Sequence, residues 1–260
     1  MKRDIGLAAL TVLELPHHEL VSVAAQAGYS HVGLRLRPVA GQPHLHPVDE
    51  AAIATRLADT GVRVLDVEVF RLEGDTRIAD FEREIAISAR LGASQLLVHG
   101  ADAEHARLVD SFGRLCDLAA RYRLAANLEP MPWVDISTVA KAKRVVDDAG
   151  RRNGAVLVDA IHFFRADNRL DELGDVRQNY LQFCDATAER PTETAELIRQ
   201  ARGDRLPPGE GGLDLKGLLA SVSRDLPLSL EVPMARPLPP LEKAKLVYRA
   251  TRKLLERYSS

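Results

Sequence analysis

The fold is decided by the stretch 124–159, LAANLEPMPWVDISTVAKAKRVVDDAGRRNGAVLVD. It opens with a short strand pattern at 124–129 and closes with a second one at 155–159. Between them, residues 135–149 have helical spacing and stop before Gly150, a residue type that commonly follows a helix end. Two strands joined through a helix predict a parallel β-α-β unit, because parallel strands need a long crossover connection.

The same alternation extends over the rest of the chain. Strand patterns are predicted at 5–10, 29–36, 62–70, 94–99, 124–129, 155–159, 179–184 and 228–232. Helical patterns are predicted at 16–28, 47–60, 75–91, 102–122, 135–149, 192–201, 213–223 and 241–258. Eight strands that alternate with helices in about 250 residues are typical of a closed barrel. We therefore predict an α/β fold, a single (β/α)8 TIM barrel that forms one domain over residues 1–260.

A doubly wound open sheet is the rival architecture. Such a sheet usually has a glycine-rich dinucleotide-binding turn after its first strand. Here the first strand runs instead into Thr11-Val12-Leu13-Glu14, which favours the barrel.

Composition excludes several classes of protein. The 260 residues carry 35 basic and 37 acidic side chains, a net charge of −2, which argues against a strongly basic nucleic-acid binder. No apolar run approaches the roughly 20 residues that span a bilayer. Two cysteines do not make a disulfide framework and fit a reducing compartment. We expect a cytoplasmic protein whose partner is a small molecule, with association into a homo-oligomer left open.

Strand parity points to a polar site inside the barrel. Successive side chains of a strand face opposite sides, and the inward faces carry polar groups toward the carboxyl ends, where barrel active sites lie. Glu129, Asp159, Gln182 and Glu231 end four consecutive predicted strands. Buried carboxylates are unfavourable unless they are paired or bind a metal, and these strands offer no matching inward basic residues. The pattern predicts a divalent cation, and oxygen donors favour Mg²⁺ or Mn²⁺.

Five short segments at these strand ends and in a later loop carry a family resemblance: NLEP at 127–130, VDAIH at 158–162, YLQFCD at 180–185, PGEG at 208–211 and LEVP at 230–233. Together they resemble the xylose isomerase-like TIM-barrel family. This superfamily of sugar phosphate isomerases and epimerases also contains family-two AP endonucleases and 3-dehydroshikimate dehydratases. The resemblance implies that Glu129, Asp159 and Glu231 are metal ligands.

The resemblance departs from the epimerase pattern at strand seven. Many epimerase-like members have a histidine ligand there, whereas this chain has Gln182, which resembles the dehydratase branch. An amide oxygen in place of an imidazole nitrogen moves the expected metal away from Zn²⁺ and toward Mg²⁺, Mn²⁺ or Co²⁺.

Five further residues are candidates for substrate contacts or catalysis. His162 follows Asp159 by three residues, and His99 and Glu68 end strands four and three with inward parity. Trp133 follows Glu129 by four residues, and Arg205 stands beside the PGEG turn, where barrels often bind anions. For each residue, packing or ion pairing is the competing interpretation.

The leading functional hypothesis is a metal-dependent isomerase or epimerase of a small polyhydroxy carbonyl compound, such as a sugar, a sugar phosphate or an inosose. In the resembled isomerases two ligand glutamates face opposite sides of the substrate, and Glu129 and Glu231 would fill those places, with His162 as a further catalytic group. The alternative is a dehydratase of the 3-dehydroshikimate type, which shares the first proton abstraction and then expels a β-hydroxyl. An AP endonuclease, or a binding barrel without catalysis, fits the sequence less well.

Overall fold

The strands form one parallel sheet that curls into a nearly closed barrel. The computed structural model describes residues 3–39, 41–42 and 45–258. In order around the sheet the strands run β6-β5-β4-β3-β2-β1-β9-β8-β7. Their bounds are Ile5–Leu7 (β1), His31–Arg35 (β2), Arg63–Leu72 (β3), Gln95–Gly100 (β4), Ala125–Glu129 (β5), Gly154–Val156 (β6), Val158–Asp159 (β7), Leu181–Phe183 (β8) and Leu228–Leu230 (β9). The predicted α/β TIM barrel is confirmed.

Within the described residues the sheet has nine strands rather than the predicted eight, because the sixth predicted strand is interrupted. Strand β6 pairs with β5, and β7 pairs with β8. Leu157 lies between the two pieces, and its backbone N–H still donates to the carbonyl of Leu128 at 2.9 Å. The chain itself therefore links the two ends of the sheet at this point.

Helices connect the strands, and most of them start and stop near the predicted bounds. They are His17–Ala27 (α1), Glu50–Thr60 (α2), Glu82–Arg90 (α3), His105–Arg121 (α4), Val139–Ala149 (α5), Ala160–Arg165 (α6), Thr194–Gly203 (α7), Leu215–Ala220 (α8) and Pro240–Tyr258 (α9). Gly28 and Gly150 end α1 and α5 with positive φ angles of 95° and 64°, which glycine adopts without steric cost. None of the helices in the described ranges has the length and apolar character that crossing a membrane requires.

Two apolar clusters of described residues stabilise the barrel. The larger one joins the helices to the outer faces of the strands. The smaller one consists of Leu65, Val69, Leu97, Leu157 and Tyr180 and lies inside the barrel. Strict alternation would have put the first two of these on the outer face, and that expectation is wrong. The pairing of β3 with its neighbours shifts at two places, so its side chains do not keep a simple two-residue period.

Candidate active site

The strand register brings the predicted site residues to one level of the barrel. His99 is paired with Glu129 on neighbouring strands, and Asp159 is paired with Gln182. Glu231 comes directly after β9. All four predicted ligands are at most 5% exposed, so their polar atoms depend on one another or on a bound group.

Asp159 ends β7 and also begins a helix that the sequence did not predict. Its Oδ1 accepts hydrogen bonds from the backbone N–H groups of Ile161 at 2.8 Å and His162 at 3.4 Å, and so caps α6. Its other oxygen, Oδ2, accepts from the guanidinium of Arg205 at 2.6 Å. His162 therefore lies in the first turn of a helix, only 5% exposed, rather than on an open rim.

Arg205 supplies the positive charge that the strands alone lack. Its guanidinium binds Asp159 through Nη1 and the Oε2 of Glu231 through Nη2 at 2.8 Å. Its Nε donates to the carbonyl of Ala201. The sequence indicated Arg205 as an anion-binding candidate but gave no sign that it pairs with the carboxylates of the strands. Arg205 lies in the site as predicted, but its nitrogens are occupied by groups of the protein rather than free for a substrate anion.

A loop latch holds Arg205 in place. Asp185, just after β8, accepts hydrogen bonds from four backbone N–H groups at 2.9–3.1 Å, those of Ala186, Gly209, Gly211 and Leu213. Its own backbone exchanges two hydrogen bonds of 2.8 Å with Leu206. Because Leu206 follows Arg205 directly, the latch determines where the guanidinium enters the site.

The side-chain amide of Gln182 has its nitrogen hydrogen-bonded and its oxygen open. Its Nε2 donates to the Oε1 of Glu231 at 2.9 Å. Its Oε1 is buried and has no hydrogen-bond partner among the described residues. A buried acceptor without a partner is costly, and a metal ion would satisfy it.

Glu129 is the least constrained carboxylate of the group. Its Oε2 lies 2.8 Å from the Nε2 of His99, and the Nε2 of His162 lies 3.8 Å from its Oε1. Among the described residues, no hydrogen bond reaches that Oε1. Trp133 packs edge-on against the His162 ring with 4.9 Å between centroids, so it both lines the cavity and orients this imidazole.

The electrostatics indicate a site that lacks positive charge. Burial, with repulsion from Asp159, raises the pKa of Glu129 well above its usual value. Burial likewise raises the pKa of Glu231, although Arg205 opposes the change. Burial lowers the pKa of the His99 and His162 imidazoles to about 3, so both rings are neutral. Carboxylates destabilised in this way attract a cation.

The donor atoms fit a divalent cation. One oxygen each of Glu129 and Asp159 and one nitrogen of His162 lie within 4.8 Å of one another. The open Oε1 of Gln182 belongs to the residue paired with Asp159 in the sheet. Oxygen donors suit Mg²⁺ or Mn²⁺, whereas an imidazole donor would shift the preference toward Zn²⁺.

A cavity opens above these groups and encloses about 780 Å³, counting its open mouth. All the predicted substrate contacts line it: Glu68, His99, Trp133 and Arg205. Glu68 is engaged in a buried ion pair of 2.7 Å with Arg35. The sequence did not predict Arg71 and Arg202 as lining residues, because one follows the irregular part of β3 and the other ends a helix.

The family described as xylose isomerase-like TIM barrel matches residues 21–258. The chain belongs to this family. A curated relative, the 3-dehydroshikimate dehydratase of Pseudomonas aeruginosa, is 30% identical over 191 residues, which cover 67% of this chain and 30% of the relative. The chain therefore corresponds to about a third of the length of that protein.

Solved structures share the fold of this xylose isomerase-like chain at lower identity. A xylose isomerase-like TIM barrel/4-hydroxyphenylpyruvate dioxygenase fusion protein superposes with a TM-score of 0.83 at 21% identity, over 99% of this chain and 43% of that one. The IOLI protein with a bound zinc atom gives 0.79 at 18% identity, over 98% and 99%. D-allulose 3-epimerase from Methylomonas sp. gives 0.73 at 18% identity, over 99% and 98%.

Proposed function

We propose that this chain is a divalent-metal-dependent dehydratase of a hydroxylated ketone. It would remove a proton beside the carbonyl and then release the β-hydroxyl as water. The observation that carries the proposal is the asymmetry of the two glutamates: both oxygens of Glu231 are hydrogen-bonded, by Gln182 and Arg205, whereas the Oε1 of Glu129 is open. One available base suits an elimination better than an epimerisation that needs two opposed bases.

The residues that would hold the metal are Glu129, Asp159, Gln182 and Glu231. When bound there, a divalent cation supplies positive charge that stabilises the anion formed as the carbon beside the carbonyl loses its proton. Mg²⁺ and Mn²⁺ match the oxygen donors best. The zinc of the IOLI structure makes zinc the competitor to test.

Glu129 is the group we assign to proton transfer. Its Oε1 takes the proton from the carbon, while the 2.8 Å contact between His99 and Oε2 fixes the carboxylate in place. The same carboxyl group then returns the proton to the departing hydroxyl, so that one C–H and one C–O bond break and one water leaves. His162, 3.8 Å from Oε1, is positioned to hold the oxygen of that hydroxyl.

The test is turnover of 3-dehydroshikimate by the Mg²⁺- or Mn²⁺-loaded protein, followed by ultraviolet absorbance. Loss of one water gives 3,4-dihydroxybenzoate, whose aromatic ring absorbs where the substrate does not. E129Q should lose roughly 10²–10⁴-fold in kcat, the range that general-base catalysis contributes, with the fold intact by circular dichroism. Absence of product, or an E129Q variant with full activity, would refute the proposal.

An isomerase or epimerase is the second candidate. It is favoured by the two glutamates, Glu129 and Glu231, that both end strands at the same cavity, and by the fold shared with D-allulose 3-epimerase. In deuterated water an epimerase incorporates solvent deuterium into a ketose without net loss of water. Deuterium exchange into D-fructose or D-allulose, together with no product from 3-dehydroshikimate, would select this candidate.

A further inference from the structure

Among the described residues, four arginines line the cavity: Arg35, Arg71, Arg202 and Arg205. Three of them are neutralised by acidic groups of the protein. Arg35 pairs with Glu68, Arg71 with Glu73 at 2.7 Å, and Arg205 with Asp159 and Glu231.

Arg202 is the exception. It lies in the last turn of α7, and its side chain makes no hydrogen bond or ion pair with any residue the structure describes. Its Nη1 faces Gly41, where a Cβ would lie only 3.0 Å away. A guanidinium beside a cavity, with five N–H donors and no acidic partner, is suited to an anionic ligand.

A second, buried donor points to the same use. The Nη1 of Arg35 is buried and has no hydrogen-bond partner within the described part of the chain, although its Nε and Nη2 bind Glu68. Arg35 is only 5% exposed, so water does not satisfy this nitrogen readily. Both arginines line the same cavity.

We propose that Arg202, with the free Nη1 of Arg35, binds a carboxylate of the substrate, so that the substrate is a hydroxylated keto acid rather than a neutral sugar. This inference rests on the proposed function and names its substrate class. Guanidinium and carboxylate form two parallel hydrogen bonds, which fix orientation as well as affinity. The acidic groups and their metal would then bind the hydroxyl and carbonyl end, and the arginines the acid end.

The test is equilibrium binding of two probes that differ only in the carboxylate, 3,4-dihydroxybenzoate and catechol, to the Mg²⁺-loaded protein. Trp133 is the single tryptophan of the chain and lines the cavity, so its fluorescence reports occupancy. We expect 3,4-dihydroxybenzoate to bind about 10- to 100-fold more tightly than catechol, the range that a charged hydrogen bond gives. R202A should remove most of this preference and leave catechol affinity unchanged, whereas R202K should retain part of it.

The matched control is R199A, which removes an exposed arginine from the same helix, outside the cavity. It should keep the preference of the wild type. Equal affinity of the wild type for both probes, or an equal loss of both in R202A, would overturn the inference. If inorganic phosphate competes with the probe at a far lower concentration than acetate does, and R202A abolishes this competition, the subsite binds a phosphate. That result would also overturn the inference.

The two proposals fail separately. If 3-dehydroshikimate is not converted but the carboxylate preference depends on Arg202, the dehydratase proposal fails and the anion subsite stands. If the substrate is converted and the preference is absent, only the subsite fails.

Discussion

Replacement of Asp185 by asparagine tests the loop latch. Asp185 is 2% exposed, and each of its carboxylate oxygens accepts two backbone N–H groups. Oδ2 binds those of Gly209 and Gly211, both at 3.0 Å, and Oδ1 binds those of Ala186 and Leu213. In D185N one oxygen becomes an NH2 group, which faces two N–H donors instead of accepting from them.

The magnitude follows from these contacts. A fully buried donor that loses its acceptor costs about 1–3 kcal/mol. Two donors are affected here, and their hydrogen bonds are only partly buried, so each loss falls in the lower part of that range. The loop has little room to adapt, because a Cβ at Gly211 would lie 2.2 Å from the carbonyl oxygen of Ala186. We expect D185N to lower the free energy of unfolding by about 2–4 kcal/mol. For a chain of this size that corresponds to a fall of roughly 5–15 °C in Tm.

Urea unfolding followed by circular dichroism gives the stability, and steady-state turnover gives the effect on the site. Because Asp185 pairs with Leu206, next to Arg205, D185N should also lower kcat. The control is E210Q, which removes the charge of an exposed glutamate in the same loop and should change stability by less than about 0.5 kcal/mol. If D185N is as stable as E210Q, the latch does not stabilise the loop and the reasoning fails.

Three further perturbations test the charge balance. R205M should destabilise the metal-free protein by about 3–5 kcal/mol, because Asp159 and Glu231 lose a buried partner; excess Mg²⁺ should reduce the loss, as urea unfolding with and without EDTA would measure. Chelation should lower the free energy of unfolding of the wild type, and Mg²⁺ at 100 times its Kd should restore about 2.7 kcal/mol of it. Equal stability with EDTA and with Mg²⁺ would show that no metal binds. Burial lowers the pKa of His17 below 6.5, so the unfolded chain protonates first. The stability from neutral His17 should be complete above about pH 6.5 and decline below it. H17Q, which keeps a donor for the Arg35 carbonyl 2.7 Å away, should show a smaller loss of unfolding free energy between pH 7 and pH 5 than the wild type.

Much of the fold was predictable because strand and helix periods differ and punctuating residues are local. The glycines at 28 and 150 mark the ends of α1 and α5 as expected. The break between β6 and β7 was not predictable, because residues 155–158 form an uninterrupted apolar run whose hydrogen bonds change partner at Leu157. Helix α6 was missed because its N-cap, Asp159, has the strand pattern of the preceding residues.

The candidate site was predictable where it lies on strands and unpredictable where it lies elsewhere. Parity on β5 to β9 identified Glu129, Asp159, Gln182 and Glu231 because inward polar residues at strand ends converge. No sequence pattern indicates that Arg205 pairs with the carboxylates or that the side chain of Arg202 lacks an acidic partner among the described residues. Arg202 lies in the last turn of α7, and Arg205 follows that helix. The helical period only separates a buried face from solvent, and the positions of the two arginines depend on the latch and on the loop that contains Gly41.

The amide at position 182 connects the charge balance to the choice of metal. A carboxylate there would repel Glu231 and add a negative charge beyond what Arg205 compensates. A histidine could donate one N–H to Glu231, but its other nitrogen would be a softer donor that favours Zn²⁺. The amide of Gln182 donates to Glu231 at 2.9 Å and leaves an unpartnered oxygen in the site. It fixes Glu231 as a hydrogen-bonded group, adds no charge and offers a hard ligand. Glu129 remains the carboxylate with an open oxygen, and for this reason we assign the proton transfer to it.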